Sequence, residues 1–172
     1  EALDPVAPAQ GFGGCNDADS SGTLRYVRIE HAERGLQLQG VGNATAIRHV
    51  QANRSRFEGI LVVGGEARAR ELFLTANGTG LRWTGGWRGE AQAVVIQQDV
   101  TDFRAALVGQ NSFTVAGDPD VSPRSAPTLY NLTILAQSVP SNPSHGTARA
   151  VTLERGTAGT IRNAFLYAPH LA

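Results

Sequence analysis

Leu24-x-x-Val27-x-Ile29 returns as Ile47-x-x-Val50-x-Ala52, Ala69-x-x-Leu72-x-Leu74 and Ala91-x-x-Val94-x-Ile96, at steps of 23, 22 and 22 residues. The signature appears twice more, as Leu129-x-x-Leu132-x-Ile134 and Ile161-x-x-Ala164-x-Leu166, after longer steps of 38 and 32. A fixed period in the twenties belongs to solenoids, whose repeats bury their apolar faces only against one another. In the first three repeats a second apolar pair follows a glycine: Leu36-x-Leu38 after Gly35, Ile60-x-Val62 after Gly59, Leu81-x-Trp83 after Gly80. Gly40, Gly64 and Gly85 close these pairs. Each coil therefore reads as strand, turn, strand, turn, with glycine where the backbone turns sharply or takes positive φ.

Two solenoids fit a period of this length. Ala69 to Asn77 approaches the leucine-rich pattern, but those repeats follow their asparagine with a helix or an extended segment of spaced leucines. Here a Gly-bounded alternation such as GLQLQG follows, which is a second strand. The expected fold is all-β: a right-handed parallel β-helix of about five to six coils of 22–24 residues with a long loop insertion. The length suits one domain over 1–172. Residues 1–22 form a lead-in rich in Pro, Ala, Gly and Asp, and 98–127 have the composition of a loop insertion. A second polar excursion runs from Ser138 to His145. The last strand stops just before Ala172, and the chain opens at Glu1 without a methionine, so it is expected to be part of a longer product or to meet an end-on partner.

Formal net charge is zero at pH 7, with all 15 basic residues arginine. The charges are scattered along the sequence, which argues against a nucleic-acid or anionic-membrane partner. No apolar stretch approaches the length of a membrane span. The single Cys15 cannot form an internal disulfide. Asn43, Asn53, Asn77 and Asn131 begin Asn-x-Ser/Thr sequons, and asparagines at such places are expected at turns.

Several blocks resemble, in order, a family of bacterial secreted or lipoprotein-type β-helix proteins. They are Gly22–Glu30 (GTLRYVRIE), Gly40–Gln51 (GVGNATAIRHVQ), Thr84–Gln92 (TGGWRGEAQ), Pro127–Ile134 (PTLYNLTI) and Arg155–Asn163 (RGTAGTIRN). The resemblance covers nearly all of 13–168. It implies a β-helix on the extracellular side, in the envelope or secreted, and lends no catalytic residues. Members usually carry acids after the second-coil glycine and around the third-coil tryptophan. This chain reads Gly59-Ile-Leu-Val-Val and Gly80-Leu-Arg-Trp-Thr there, so any acidic or metal site at those places would be lost.

In such a fold the residues between the inward ones project outward and stack in columns. The first-strand rows are then Tyr26, Arg28, Glu30; His49, Gln51, Asn53; Glu71, Phe73, Thr75; and their successors. His49 falls one coil from Glu71, with Arg28 and Glu30 nearby, and a carboxylate beside an imidazole is the least that general acid–base chemistry requires. No paired-Asp signature of pectin hydrolases and no Arg motif of pectate lyases accompanies it. Tyr26, Arg28, Glu30, His49, Glu71 and the turn residue Trp87 are the candidate ligand-binding set, whereas Trp83 completes an inward pair. Phe73, Val95, Leu135, Phe165 and Tyr167 would make an apolar stripe, for which the 98–127 insertion is the expected cover. Asp17-x-Asp19-x-Ser21-Gly22 matches the first half of a calcium loop, with Arg28 where an EF-hand has glutamate. Calcium is the one cofactor these residues suggest.

The expected role is non-catalytic. It is a secreted or surface module that binds glycan or protein, or assembles with copies of itself end to end or side by side. The alternative is a polysaccharide-active lyase or glycoside hydrolase using His49 and Glu71.

Overall fold

In the computed structural model, residues 16–99, 104–112, 117–136 and 149–168 are described. Eleven strands and no helix appear among them. The first sheet holds β1 (Thr23–Glu30), β3 (Ala46–Asn53), β5 (Arg68–Thr75), β7 (Glu90–Gln97), β9 (Thr128–Leu135) and β11 (Thr160–Tyr167), hydrogen-bonded in that order. The second holds β2 (Leu36–Gln39), β4 (Glu58–Val63), β6 (Thr79–Thr84), β8 (Leu107–Gln110) and β10 (Val151–Glu154), again in chain order. Every pairing is parallel. The molecule is a right-handed parallel β-helix.

The repeated signature sets the register. Leu24, Ile47, Ala69, Ala91, Leu129 and Ile161 form one column, and Val27, Val50, Leu72, Val94, Leu132 and Ala164 the next. A pleated strand alternates faces, so residues three apart cannot both point inward in an unbroken strand. The chain resolves this by placing Tyr26, His49, Glu71, Ala93, Asn131 and Asn163 in the left-handed region, with φ between 50° and 59°. One such residue adds half a pleat and bends the strand, so both flanks keep their apolar residues inside. The ladder passes over it: Arg25 pairs with Arg48, and the next pair is Val27 with Val50. Each first-sheet strand thus turns a corner midway.

Ile47, Leu72, Leu74, Ile96, Leu129 and Leu132 from the first sheet meet Ile60, Leu81, Trp83 and Leu107 from the second in one buried core. Gly40, Gly64 and Gly85 take positive φ, as expected of closing glycines. The leading glycines serve another need: a Cβ on Gly35 would lie 2.2 Å from the Gly59 carbonyl oxygen of the next coil. Gly109 is likewise required by packing, because a Cβ there would lie 2.2 Å from the Trp83 ring.

The 98–127 segment departs from expectation. It contains β8, which pairs with β6 and β10, so part of the insertion is scaffold. Of the apolar stripe, Phe73, Phe165 and Tyr167 are exposed and Val95 and Leu135 are half-buried, so the described part of the segment does not cover it fully. On the outward side of the second sheet Leu61, Val63 and Thr84 are buried, whereas Gln37, Gln39 and Glu154 are exposed. At its edge the buried Glu58 carboxylate accepts from Arg34 Nε and Arg82 Nη1, each at 3.0 Å. Residues 1–15, with Cys15, and the Ser138–His145 excursion lie outside the described residues.

Candidate functional site

The corner of the first sheet carries Tyr26 on β1, His49 on β3 and Glu71 on β5, one above another at the left-handed position. The 23- and 22-residue steps of the repeat are what stack them. The Tyr26 and His49 rings lie 4.5 Å apart between centroids and 8° from parallel. His49 Nε2 is 3.1 Å from Glu71 Oε2. Tyr26 is 80% exposed, so its ring is held by stacking while facing solvent. Beyond the corner, Arg28, Gln51 and Phe73 occupy the next outward column. Together with Val27 these side chains line an open groove of about 350 Å³.

The charges in this groove are already engaged. Arg28 Nη2 donates to Glu30 Oε1 at 2.6 Å, and Asn53 Nδ2 donates to the same oxygen at 3.0 Å. Thr75 Oγ1 in turn donates to Asn53 Oδ1 at 3.0 Å, tying three coils together. The Arg28 hydrogen bond, followed by that from Asn53, holds the Glu30 carboxyl below the usual glutamate range. Glu30 is therefore a poor proton donor near neutrality. A retaining or inverting glycosidase needs one protonated and one ionised carboxyl facing each other across the bond to be cut, and Glu30 does not supply the protonated one.

The structure brings together five of the six candidate ligand-binding residues and removes the sixth. Trp87 is 1% exposed, with its Nε1–H donating to the Ala67 carbonyl at 3.1 Å and its ring tilted against Trp83 at 6.0 Å. It is a core residue, because the glycines around it let the turn fold its indole inward. Trp83 points inward as expected, and its Nε1–H donates to Thr157 Oγ1 at 2.9 Å.

The Asp17–Ser21 segment lies alongside the turn before β3, where the Asp17 and Asp19 carbonyls accept from Asn43 N and Ala44 N. Ser21 N donates to Thr45 Oγ1 at 2.9 Å. Arg88 Nη2 sits 2.7 Å from Asp17 Oδ2, so a cation at Asp17 would compete with a guanidinium. No group of three His, Cys, Asp or Glu gathers to hold a metal among the described residues. Of the sequons, Asn77 is buried and bonded to Ser55 N and the Ala52 carbonyl.

Two features escaped the sequence reading. One is the Tyr26–His49 stack, signalled only by two rings at equivalent positions of successive repeats. The other is a row of arginines on the opposite flank of the corner, where Arg25, Arg48 and Arg70 are register partners. Charges scattered in sequence are thus gathered in space.

Among known families, the model that matches describes a pectate-lyase-like β-helix domain, and it spans residues 5–170. No curated protein and no solved structure matches the chain.

Proposed function

Because the chain belongs to the pectate-lyase-like β-helix domain family, we propose that it is a non-catalytic glycan-binding module, secreted or held at the cell surface. Its contact surface is the Tyr26–His49 corner with the adjoining Phe73 groove. The family points to polysaccharide as the class of partner. The observation that carries the reading is the solvent-facing aromatic pair, pre-stacked at 4.5 Å, beside the Arg28–Glu30 ion pair. Flat rings at fixed orientation bind sugar faces at small entropic cost. Matched charges orient such a ligand without attacking it.

Tyr26→Ala and Phe73→Ala, each removing exposed ring surface, should weaken glycan binding in calorimetry by about five- to tenfold, equivalent to roughly 1–1.4 kcal/mol. Both residues are exposed, so thermal stability should stay within about 0.5 kcal/mol of the parent. Unchanged affinity in both variants would remove the corner from the contact surface. The His49–Glu71 contact at 3.1 Å also has the geometry of an oriented general base, which favours a polysaccharide-active enzyme as second reading. Turnover of a polysaccharide by the intact protein, lost in His49→Ala and in Glu71→Gln, would establish that reading over binding alone.

A further inference from the structure

Leu153, Phe165, Leu166 and Tyr167 are each more than half exposed, and Ile161 is exposed beside them. All five lie on β10 and β11, the outermost strands of the two sheets among the described residues. Ile161 and Leu166 belong to the inward columns, so theirs is the exposure of an uncovered core. At the other end Leu24, Val27 and Ile29, in the same columns, are half-buried. An outer strand also turns a row of backbone N–H and C=O groups away from the protein, and such edges are ordinarily blunted by charge or proline. β11 reads Thr-Ile-Arg-Asn-Ala-Phe-Leu-Tyr, with no proline and Arg162 as its one charge. Its bend at Asn163 is no obstacle to pairing, because the same bend is bridged in every other pair of the sheet.

We propose that this end of the solenoid is the contact surface of a two-fold dimer, in which β11 pairs antiparallel with β11 of a second copy. The strand's own pattern selects that occupant. With the axis between Asn163 and Ala164, at the corner, Ile161 faces Leu166 of the second copy, Arg162 faces Phe165 and Thr160 faces Tyr167. Inward residues meet inward ones and outward residues meet outward ones, so the two cores merge and the edge groups find partners. Arg162 is set against the exposed Phe165 ring, a cation–π pair made twice by symmetry. Stacking the last coil on the first coil of another copy would instead continue the columns unchanged. That brings Arg162 beside Arg25, which already stands in register with Arg48 and Arg70, and like charges so placed repel. A lipid surface covers apolar side chains but leaves edge backbone groups unpaired. The dimer needs nothing from the glycan-binding reading. Joined to that reading, it sets the two Tyr26–His49 corners at opposite ends, about 50 Å apart along the axis at one strand spacing per coil. One dimer can then hold two stretches of glycan.

The test is sedimentation equilibrium over a concentration series with no glycan present, so its outcome is independent of the glycan reading. The mass should rise from the 18.1 kDa of one chain to twice that value and stop there. At dilutions where the dimer is apart the end is bare, and Leu166 contributes only as a half-exposed side chain. Leu166→Arg, a charge placed in the merged core, and Phe165→Ser, which removes the outward ring, should each weaken dimerisation about tenfold or more. Phe165 faces solvent in the single chain, so its variant keeps the test valid if Leu166→Arg fails to fold. The register is read separately in a Cys15→Ser background. Ile161→Cys mixed with Leu166→Cys should oxidise to a linked pair, while neither variant alone does so. A mass of one chain at every concentration overturns the proposal. So does a mass that grows past two chains, the mark of last-on-first stacking, or a dimer that both substitutions leave intact. A link formed by either cysteine variant alone overturns the register.

Discussion

Glu30 shows how much one side chain here depends on its neighbours in adjacent columns. Its carboxylate accepts from Arg28 on its own strand and from Asn53 on the next, and both bonds are stronger to the ionised form than to the neutral one. They hold its pKa below the usual range in the folded state, with Arg28 the larger cause. A depressed folded value means that the Glu30 contribution to stability is complete above the unfolded pKa. It is lost as pH falls through the lower, folded value. Carboxyl titration followed by NMR should therefore find Glu30 ionised at acidities where ordinary glutamates have already protonated. Arg28→Gln should move its midpoint up toward the ordinary value, and a midpoint that does not move would show that Asn53 alone sustains the shift. The charge state matters to function because an ionised Glu30, matched to Arg28, leaves the groove without a proton donor at that place.

The strand-level lesson lies in the corner, where six residues in a row take a conformation that costs an L-residue about 1–2 kcal/mol. Asparagine bears that conformation best, and two of the six are asparagine: Asn131 accepts at Oδ1 from Asn163 Nδ2. Ala93, directly before Asn131 in the column, pays the strain without such a bond. Ala93→Asn should extend the ladder and raise stability by about 0.5–1 kcal/mol. Ala93→Val, β-branched at positive φ, should lower it by about 1–3 kcal/mol. Chemical denaturation decides both, and a stabilising valine would mean that the strand unbends. The corner was written in the sequence, since a spacing of three and then two cannot be satisfied by a straight strand. Read as simple alternation, the same spacing yields the outward Tyr26, Arg28 and Glu30 and the inward Val27 and Ile29, but it puts Leu24 and Arg25 on the wrong faces and conceals the bend. β8 was harder to see because Leu107-Val108-Gly109-Gln110 is short, sits amid loop composition and uses glycine where the Trp83 ring needs room. Trp87 was misjudged for a related reason: glycines beside an indole suggest an exposed turn, although they equally permit the turn to bury it. The arginine row was hidden by distance along the chain, because Arg25, Arg48 and Arg70 become neighbours only after the coils are in register.

At the scale of the whole molecule, stability is shared along one axis, and the worth of a side chain depends on where its coil lies. Ile29, Ala52, Leu74, Ile96, Ile134 and Leu166 form a single inward column, yet Leu74 is fully buried and Leu166 is 52% exposed. In a solenoid each coil contacts only its neighbours, so an inner coil loses packing on both sides when truncated and an outer coil on one. Leu74→Ala should cost about 2–5 kcal/mol, the range for a core leucine without room to collapse. Leu166→Ala, half in water already, should cost less than about 1 kcal/mol. Urea denaturation of the two variants measures the gradient directly, and equal costs would mean that the end of the helix is covered in solution by a further surface. The binding faces sit on this gradient in an informative way. Tyr26, Arg25 and Arg28 lie on β1, the edge strand among the described residues, while His49, Arg48, Glu71 and Arg70 lie on strands paired on both sides. A ligand spanning these three strands would tie the edge to the interior, so saturation with a bound glycan should slow amide exchange in β1 more than in β5.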